Sequence, residues 1–256
     1  FAKINIYIFL LRSILIIFTY FCFLILFTYM NLTPIAKKIF LLVLVTVFSC
    51  SKSDELQLND LFYNNDFESG DLDAIDGAVL MTFNNTTVLG NYNNDGFTLN
   101  LNNIGPHDII YISFDLYIHD SWDGNFNNFD PDQPDAWFME LISDFDVDGS
   151  NPFNVWETSF SNSVCNTAFC LRQSYPDIFP SENLPREGSS RLLPGLCSLE
   201  SDFDGTTLYT IEKGFEHTGN ALLIRFYDQL YQPNSADQRC DESWSLDNLK
   251  VRLHTY

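Results

Sequence analysis

The stretch IIYISFDLYIHD, residues 109–120, decides the fold class of this chain. Ile110, Ile112 and Phe114 begin an apolar series that recurs at every second residue as far as Ile118. Tyr, Ser, Asp and Tyr alternate with this series, so the two sides of the stretch differ in character. Strict alternation over this length is typical of a strand that buries one face. The sequence therefore predicts a half-buried antiparallel strand here.

Other segments show the same two-residue period. They lie at 97–101, 137–141, 208–210 and 222–226. Turn sequences rich in Asn, Asp and Gly separate them, at 94–96, 123–124, 148–149, 204–205 and 218–220. No long helical period is present. Short strands with such turns predict an all-β domain, an antiparallel β-sandwich of the jelly-roll kind.

The segment DESWSLDNLKV, residues 241–251, changes phase in its middle. Trp244 and Leu246 share one strand face, whereas Leu249 and Val251 belong to positions of opposite parity. A change of phase requires one extra residue, most simply a β-bulge at residues 247–248. A bulge re-aims a side chain, so this segment raises the question of what the carboxylate at position 247 faces.

The charge of the chain is unevenly distributed. Residues 1–50 contain no Asp or Glu, and residues 51–256 hold 34 acidic against 9 basic residues, a formal charge of −25. Such a surface repels nucleic acid and anionic membranes, so we expect no nucleic-acid partner. A chain of about 200 residues can bury one sizeable core. We expect a polar linker at 51–60 and one domain at 61–256.

The N-terminal 50 residues have the composition of a leader. Lys37 and Lys38 precede a short apolar run, and Ser49 precedes Cys50, as in a secretory signal at 30–50. The ending VFSC resembles a bacterial lipobox, which implies lipidation of Cys50 and membrane attachment through that lipid anchor. We therefore expect an exported lipoprotein at the outer membrane or cell surface. Residues 1–29 are apolar enough to span a bilayer, and are either upstream read-through or a transmembrane helix.

The remaining cysteines favour disulfides. Cys165, Cys170, Cys197 and Cys240 are an even number in an exported domain, which predicts two bonds. We expect Cys165–Cys170 with Cys197–Cys240, because a short loop can close on itself. A zinc site is the alternative, but CxxC spacing and nearby histidines are missing.

Several segments together resemble a known kind of domain. They are NDFESG (65–70), ISFDLYIHDSWDGN (112–125) and DESWSLDNLKV (241–251). Their order over residues 62–254 resembles jelly-roll modules of secreted bacterial proteins, the concanavalin A-like and galactose-binding-like sandwiches. These include laminin-G domains, MAM domains and many carbohydrate-binding modules. The resemblance implies a sandwich with a non-catalytic binding or adhesive role.

The same resemblance implies a structural calcium. Related modules hold Ca²⁺ between their first and last strands, and Asp66, Glu68 and Asp247 match the positions of the ligands. Calcium takes six to eight hard oxygen atoms, and a bulge would expose backbone carbonyls for this purpose. The alternative is metal-free: Asp247 accepts backbone N–H groups within the bulge, and Glu68 is solvated.

The loop at 120–135 is the predicted ligand site. Asp120, Trp122, Asp123 and Asn125 combine carboxylates for a cation or sugar hydroxyls with an aromatic face for a pyranose ring. We expect Trp122 to be partly exposed and His119 to face outward, whereas the tryptophans at 137, 156 and 244 belong in the core. The alternative is a solvated loop with its tryptophan packed on the core.

Two further motifs have simpler interpretations. DFDVDG at 144–149 matches half of an EF-hand loop but lacks the final Glu, so a hairpin turn is favoured. The acidic run Glu200, Asp202 and Asp204 is the best match to a hydrolase motif, yet it leads into a turn. The remaining histidines, His217 beside Glu216 among them, are expected at the surface or in caps.

The sequence thus predicts a carbohydrate-binding, non-catalytic domain of an exported bacterial lipoprotein, stabilised by calcium. A protein-binding or adhesive surface module is the alternative, and a glycoside hydrolase is the second alternative. The expected partners are a carbohydrate or a cell-surface protein.

Overall fold

A computed structural model describes residues 57–126, 134–143, 152–165, 170–197, 199–231 and 235–256. The chain divides into two units, 1–55 and 56–256, and every described residue belongs to the second. The predicted lipobox with Cys50 and the motif at 144–149 lie outside the described residues. No helix in the described part of the chain is long and apolar enough to cross a bilayer.

The described residues form twelve strands and one short helix. In chain order these are β1 (Gln57–Asn65), β2 (Ile75–Asp76), β3 (Leu80–Phe83), β4 (Thr86–Tyr92), β5 (Gly96–Asn102), β6 (Ile109–Asp120), β7 (Ala136–Ser143), β8 (Asn154–Ser159), β9 (Arg191–Leu193), β10 (Thr206–Glu216), β11 (Ala221–Gln229), α1 (Gln238–Asp241) and β12 (Glu242–Thr255). The strands make two antiparallel sheets. The larger sheet has the order β3-β4-β12-β6-β10-β9, with β1 also pairing with β12, and the smaller sheet has the order β2-β5-β11-β7-β8. The predicted all-β sandwich is confirmed.

The core lies between the two sheets and follows the alternation of the strands. In β6 the side chains from Ile110 to Ile118 at every second position are buried, as predicted. Trp137, Trp156 and Trp244 are also in this core, which confirms their predicted positions. Burial of such large apolar surfaces is the main favourable term in folding.

The first strand lies beside the last. Asn65 pairs with Leu249, and Asp60 pairs with Leu253, in antiparallel register. Strand β1 begins at Gln57, so residues 57–60, which were predicted to belong to the linker, are part of the larger sheet.

Two disulfides join the four cysteines of the domain. Cys165 bonds to Cys170, and Cys197 bonds to Cys240, so the expected pairing is confirmed. The second bond ties the segment after β9 to α1, which directly precedes β12.

Candidate functional site

The predicted bulge is present in β12. The register between β12 and β6 shifts between Asp247 and Lys250, and Asn248 has a φ of 53°. Asn adopts this left-handed conformation more readily than most residues. Leu246 and Leu249 are consequently both fully buried, although an odd number of steps separates them. Asp247 lies opposite Asp115 of β6, away from the core.

The bulge brings two of the three predicted metal ligands together. Thr86 donates from Oγ1 to Glu68 Oε1, and the same Oγ1 lies 3.4 Å from Asp247 Oδ2. The backbone N–H of Thr87 also donates to Glu68, at 2.9 Å. Asp66 is exposed and accepts a bond from the backbone N–H of Glu68 at 3.3 Å. The structure therefore joins Glu68 to Asp247 through Thr86, with Asp66 at the adjoining turn.

The carboxylates of Glu68 and Asp247 repel each other. Burial, followed by the charges of Asp115 and Glu68, raises the pKa of Asp247 to about 6. The bonds from Thr86 and Thr87 lower the pKa of Glu68. Repulsion of this kind is relieved by a divalent cation, for which these hard oxygens are suitable ligands.

The fit to calcium is partial. No group of three or more His, Cys, Asp or Glu side chains in the described ranges is arranged to hold a metal. A calcium here would therefore need backbone carbonyls and water besides Glu68 and Asp247. The backbone N–H of Asn248 donates to Asp247 Oδ1 at 2.6 Å, which is the contact that the metal-free alternative expects. Calcium stays a prediction.

Trp122 is fully buried, so the prediction that it is partly exposed is wrong. Its Nε1 donates to the backbone carbonyl of Ser243 at 2.9 Å, and its ring packs edge-on against Phe160. The chain leaves β6 toward the core rather than toward solvent, because the end of β6 is enclosed by β12 and the segment after β8. The face of Trp122 is therefore not available to a sugar ring in this structure.

Asp120 and His119 are also buried, and the prediction that His119 faces outward is wrong. Asp120 Oδ1 accepts backbone N–H groups from Leu199 at 2.9 Å and Cys197 at 3.3 Å. His119 Nδ1 is 3.0 Å from Thr206 Oγ1, and burial lowers the pKa of His119 to about 3. His119 is buried because a second apolar cluster covers this end of the outer face of the larger sheet. Its buried members are Phe83, Val88, Tyr117 and Leu193.

His217 is likewise buried rather than superficial. One of its ring nitrogens, Nδ1, lies 2.7 Å from Nε2 of His107, and the two rings stack. The prediction of a surface or capping His is wrong at this position, because β10 ends where the two rings pack together, and His107 and His254 are buried as well.

Asn125 is a structural residue in the described chain. Its Oδ1 accepts from Ser174 Oγ at 2.8 Å and from the hydroxyl of Ser159, and its Nδ2 donates to the carbonyl of Ser181. Asp123 differs from the other three predicted ligand residues. It is half-buried, and its carboxylate accepts no hydrogen bond from the described residues. Burial and the charge of Asp241 raise the pKa of Asp123 to about 6.

The acidic run at 200–204 lies in a turn, as its sequence indicates. Glu200 and Asp202 are exposed, and Asp204 forms an ion pair with Arg186 at 2.7 Å. The carboxylates do not share a strand face, which is the arrangement that the hydrolase motif requires.

The outer face of the smaller sheet carries a site that was not predicted from the sequence. On neighbouring strands the rings of Phe138 and Tyr227 stack with centroids 4.6 Å apart and 7° between their planes. Glu140 Oε2 accepts from Arg225 Nη1 at 2.9 Å, and its Oε1 accepts from the Tyr227 hydroxyl at 2.8 Å. We call these four residues, together with Gly96, the stacked face.

Gly96 leaves a slot beside the stacked face. It pairs with Tyr227 across the sheet, on the side away from Phe138, and it has no side chain to cover the ring. A Cβ at Gly96 would lie 2.0 Å from the carbonyl oxygen of Phe226, so the close approach of β5 to β11 requires glycine. The slot has a volume of about 360 Å³. Its lining includes the polar residues Asp76, Asp95, Thr98 and Arg225.

A second pocket borders the same region. It has a volume of about 400 Å³, and its lining includes Glu157 and Gln229. Glu157 pairs with Phe138 across the sheet, and Gln229 follows Tyr227 by two positions on β11. Burial raises the pKa of Glu157 and, more strongly, that of Tyr227. Aromatic surface and convergent polar groups in a concave region are typical of ligand sites.

Comparison with protein-family models and with curated proteins finds no match. Among solved structures, the chain is similar to the carbohydrate-binding module CBM6cm-2 of Cellvibrio mixtus lichenase 5A, which was determined in complex with cellotriose. The two share 10% sequence identity with a TM-score of 0.33, and the alignment covers 75% of this chain and 97% of that one. At this TM-score the likeness does not bear on what the present chain binds.

Proposed function

We propose that this domain binds a carbohydrate chain, without cleaving it, at the stacked face of the smaller sheet. The observation that carries the proposal is the open ring of Tyr227 over Gly96, in a slot with carboxylates and a guanidinium. A pyranose has one apolar C–H face and a rim of hydroxyls. An aromatic ring suits the first, and charged hydrogen-bonding groups suit the second.

The charges favour a neutral glycan. Asp76 and Asp95 line the slot, and residues 51–256 carry a formal charge of −25. An anionic polysaccharide would therefore be repelled, whereas neutral hydroxyl groups can bond to carboxylates and to Arg225. With a volume of about 360 Å³ the slot holds a small part of such a chain, and the pocket lined by Glu157 and Gln229 offers a continuation.

In this proposal the cellular location of the domain is inferred from the N-terminal leader. Cys50 anchors the chain by its lipid after export, and the domain meets its glycan at the outer membrane or cell surface. A calcium at Glu68 and Asp247 joins the turn after β1 to the bulge of β12. The crowding of these two carboxylates supports that part of the proposal.

A glycoside hydrolase is the second candidate, because Glu140 and Glu157 occupy neighbouring strands of the same face. Two carboxylates flanking a bound sugar are the requirement for glycoside hydrolysis. However, both oxygens of Glu140 are engaged, one by Arg225 and one by Tyr227. A carboxylate held in this way positions a ring and a guanidinium rather than attacking a sugar. Binding is therefore the favoured function.

The test is retention of the full chain, solubilised in detergent, on a panel of immobilised neutral and anionic polysaccharides. We expect retention on a neutral glycan, at least tenfold weaker in Tyr227→Ala. The matched control is Tyr256→Ala, since Tyr256 is 85% exposed and distant in sequence from the slot. Failure of the parent chain to bind any glycan, or equal retention of Tyr227→Ala, contradicts the proposal. Release of reducing sugar from the retained glycan would establish the hydrolase instead.

A further inference from the structure

Asp135 is a buried carboxylate with one unsatisfied oxygen. It lies immediately before β7 and is 1% exposed. Its Oδ2 accepts the backbone N–H of Asp123 at 2.7 Å, and its own N–H donates to the carbonyl of Gly124 at 2.9 Å. Its Oδ1 is buried and has no hydrogen-bond partner. A buried charge without a partner is costly, so this atom requires an explanation.

Protonation removes the charge of Asp135 but leaves the need for a partner. A proton on Oδ1 would itself require an acceptor, because a buried hydroxyl group also has to be hydrogen-bonded. Neighbouring acids add to the cost. The charges of Asp123 and Asp228 act with burial to raise the pKa of Asp135, and Asp241 acts on the pKa of Asp123 in the same direction. These groups come from four separate segments and share no basic partner among the described residues.

The second carboxylate of the cluster is open to solvent. Asp123 is half-buried, and its carboxylate accepts no hydrogen bond from the described residues. It follows Trp122, whose ring is held in the core, so the position of its backbone is well defined. The pair thus combines a buried oxygen atom that lacks a partner with a carboxylate through which an ion can enter.

We propose that Asp123 and Asp135 bind a calcium ion, at a site separate from Glu68 and Asp247. Calcium accepts irregular sets of oxygen ligands and supplies the positive charge that the pair lacks. The described residues contain no preformed group of three metal-binding side chains, so carbonyl oxygens and water complete the shell. Asp241 adds negative charge nearby. The ion ties the turn after β6 to the start of β7.

The test uses the full chain in detergent, after removal of metal with a chelator. Ca²⁺ is titrated by calorimetry, and Tb³⁺ luminescence is excited through tryptophan, since Trp122 is adjacent to the site. The informative variant is Asp123→Asn, which removes no hydrogen bond among the described residues and leaves the fold intact. Asp73→Asn is the matched control, because it removes one charge from an exposed turn. Asp247→Asn separates this site from the bulge.

We expect Asp123→Asn to weaken one Ca²⁺-binding event at least tenfold and to abolish most sensitised Tb³⁺ emission. Asp73→Asn and Asp247→Asn should leave that event within twofold of the parent chain. Absence of Ca²⁺ binding in the parent, or an unchanged isotherm in Asp123→Asn, overturns the proposal. If Asp247→Asn loses the Ca²⁺-binding event and Asp123→Asn keeps it, the ion binds at the bulge, and this result also overturns the proposal.

Discussion

Phe138 and Tyr227 lie in face-to-face contact on adjacent strands β7 and β11, with their ring centroids 4.6 Å apart. Each ring fixes the rotamer of the other, and the bond from the Tyr227 hydroxyl to Glu140 removes the remaining freedom. A ring that is already immobile loses little conformational entropy when a ligand docks on its open side. Preorganisation is therefore the physical basis of the proposed glycan site.

This relationship predicts that Phe138 contributes to binding without touching the ligand. Phe138→Leu removes the ring that supports Tyr227 but keeps an apolar side chain. An aromatic pair is worth roughly 0.5–1.5 kcal/mol, so we expect glycan affinity to fall about two- to tenfold. Calorimetry with the retained glycan measures the change. Phe203→Leu, at a position that is 80% exposed, is the control. Equal affinity in both variants would show that the stack is not needed.

The bulge yields a prediction that separates calcium from the metal-free alternative. In chelator, Asp247→Asn removes repulsion from Asp115 and Glu68, so the variant should melt at the same temperature as the parent chain or higher. With Ca²⁺ the order should reverse, because only the parent holds the ion with full charge. Thermal unfolding at neutral pH, with and without Ca²⁺, provides the comparison. Parent melting curves that coincide in Ca²⁺ and chelator would exclude a calcium at the bulge.

The raised pKa of Asp228 predicts that the free energy of unfolding falls as the pH rises. Burial raises the pKa of Asp228 from its ordinary 3.8 to about 6, although Trp244 and Asn94 donate to its carboxylate. The folded state therefore binds this proton more tightly than the unfolded state. The contribution of Asp228 to the free energy of unfolding is fully present below about pH 4 and is lost as the pH rises through about 6. This contribution is on the order of 3 kcal/mol.

The measurement is urea unfolding in chelator between pH 4 and pH 7.5, comparing the parent with Asp228→Asn. The parent should lose stability relative to the variant as the pH rises. The amide that replaces the carboxylate keeps one acceptor oxygen for Trp244 Nε1 but loses the acceptor for the Asn94 N–H. The free energy of unfolding of the variant should therefore be lower than that of the parent at acidic pH. A constant difference between the two proteins across this range would mean that Asp228 titrates normally.

The strands and turns of the sandwich could be predicted from the sequence, because strand alternation and turn chemistry depend only on residues that are close together in the chain. The period of two in β6 identified its buried face, and the phase change at Asp247 identified the bulge. Both depend only on which residues must reach the core. The exposure of Trp122 was not predictable in this way. It depends on β12 and on the segment after β8, which the fold brings over the end of β6 from distant positions in the sequence.

The stacked face was missed for a related reason. Alternation in β11 places Arg225 and Tyr227 on the outer side, but it does not say which strand lies beside them. Phe138 and Glu140 become their neighbours only through the order β5-β11-β7, in which no two adjacent strands are consecutive in the chain. The signal that was available is that Phe138 and Tyr227 both fall at outward positions of their strands, since aromatic surface with polar groups around it is typical of ligand sites.

The two disulfides should differ in their contribution to stability. Cys197 and Cys240 close a loop with a sequence separation of 43, whereas Cys165 and Cys170 are separated by 5. Chain entropy alone gives about 4 kcal/mol for the first and about 2 kcal/mol for the second. The long bond also holds α1 against the segment whose N–H groups bind Asp120, so its loss releases a buried carboxylate. Urea unfolding of the paired serine variants should show the larger loss for Cys197→Ser with Cys240→Ser. A larger loss for the short loop would mean that native contacts around Cys165, rather than loop length, set the effect.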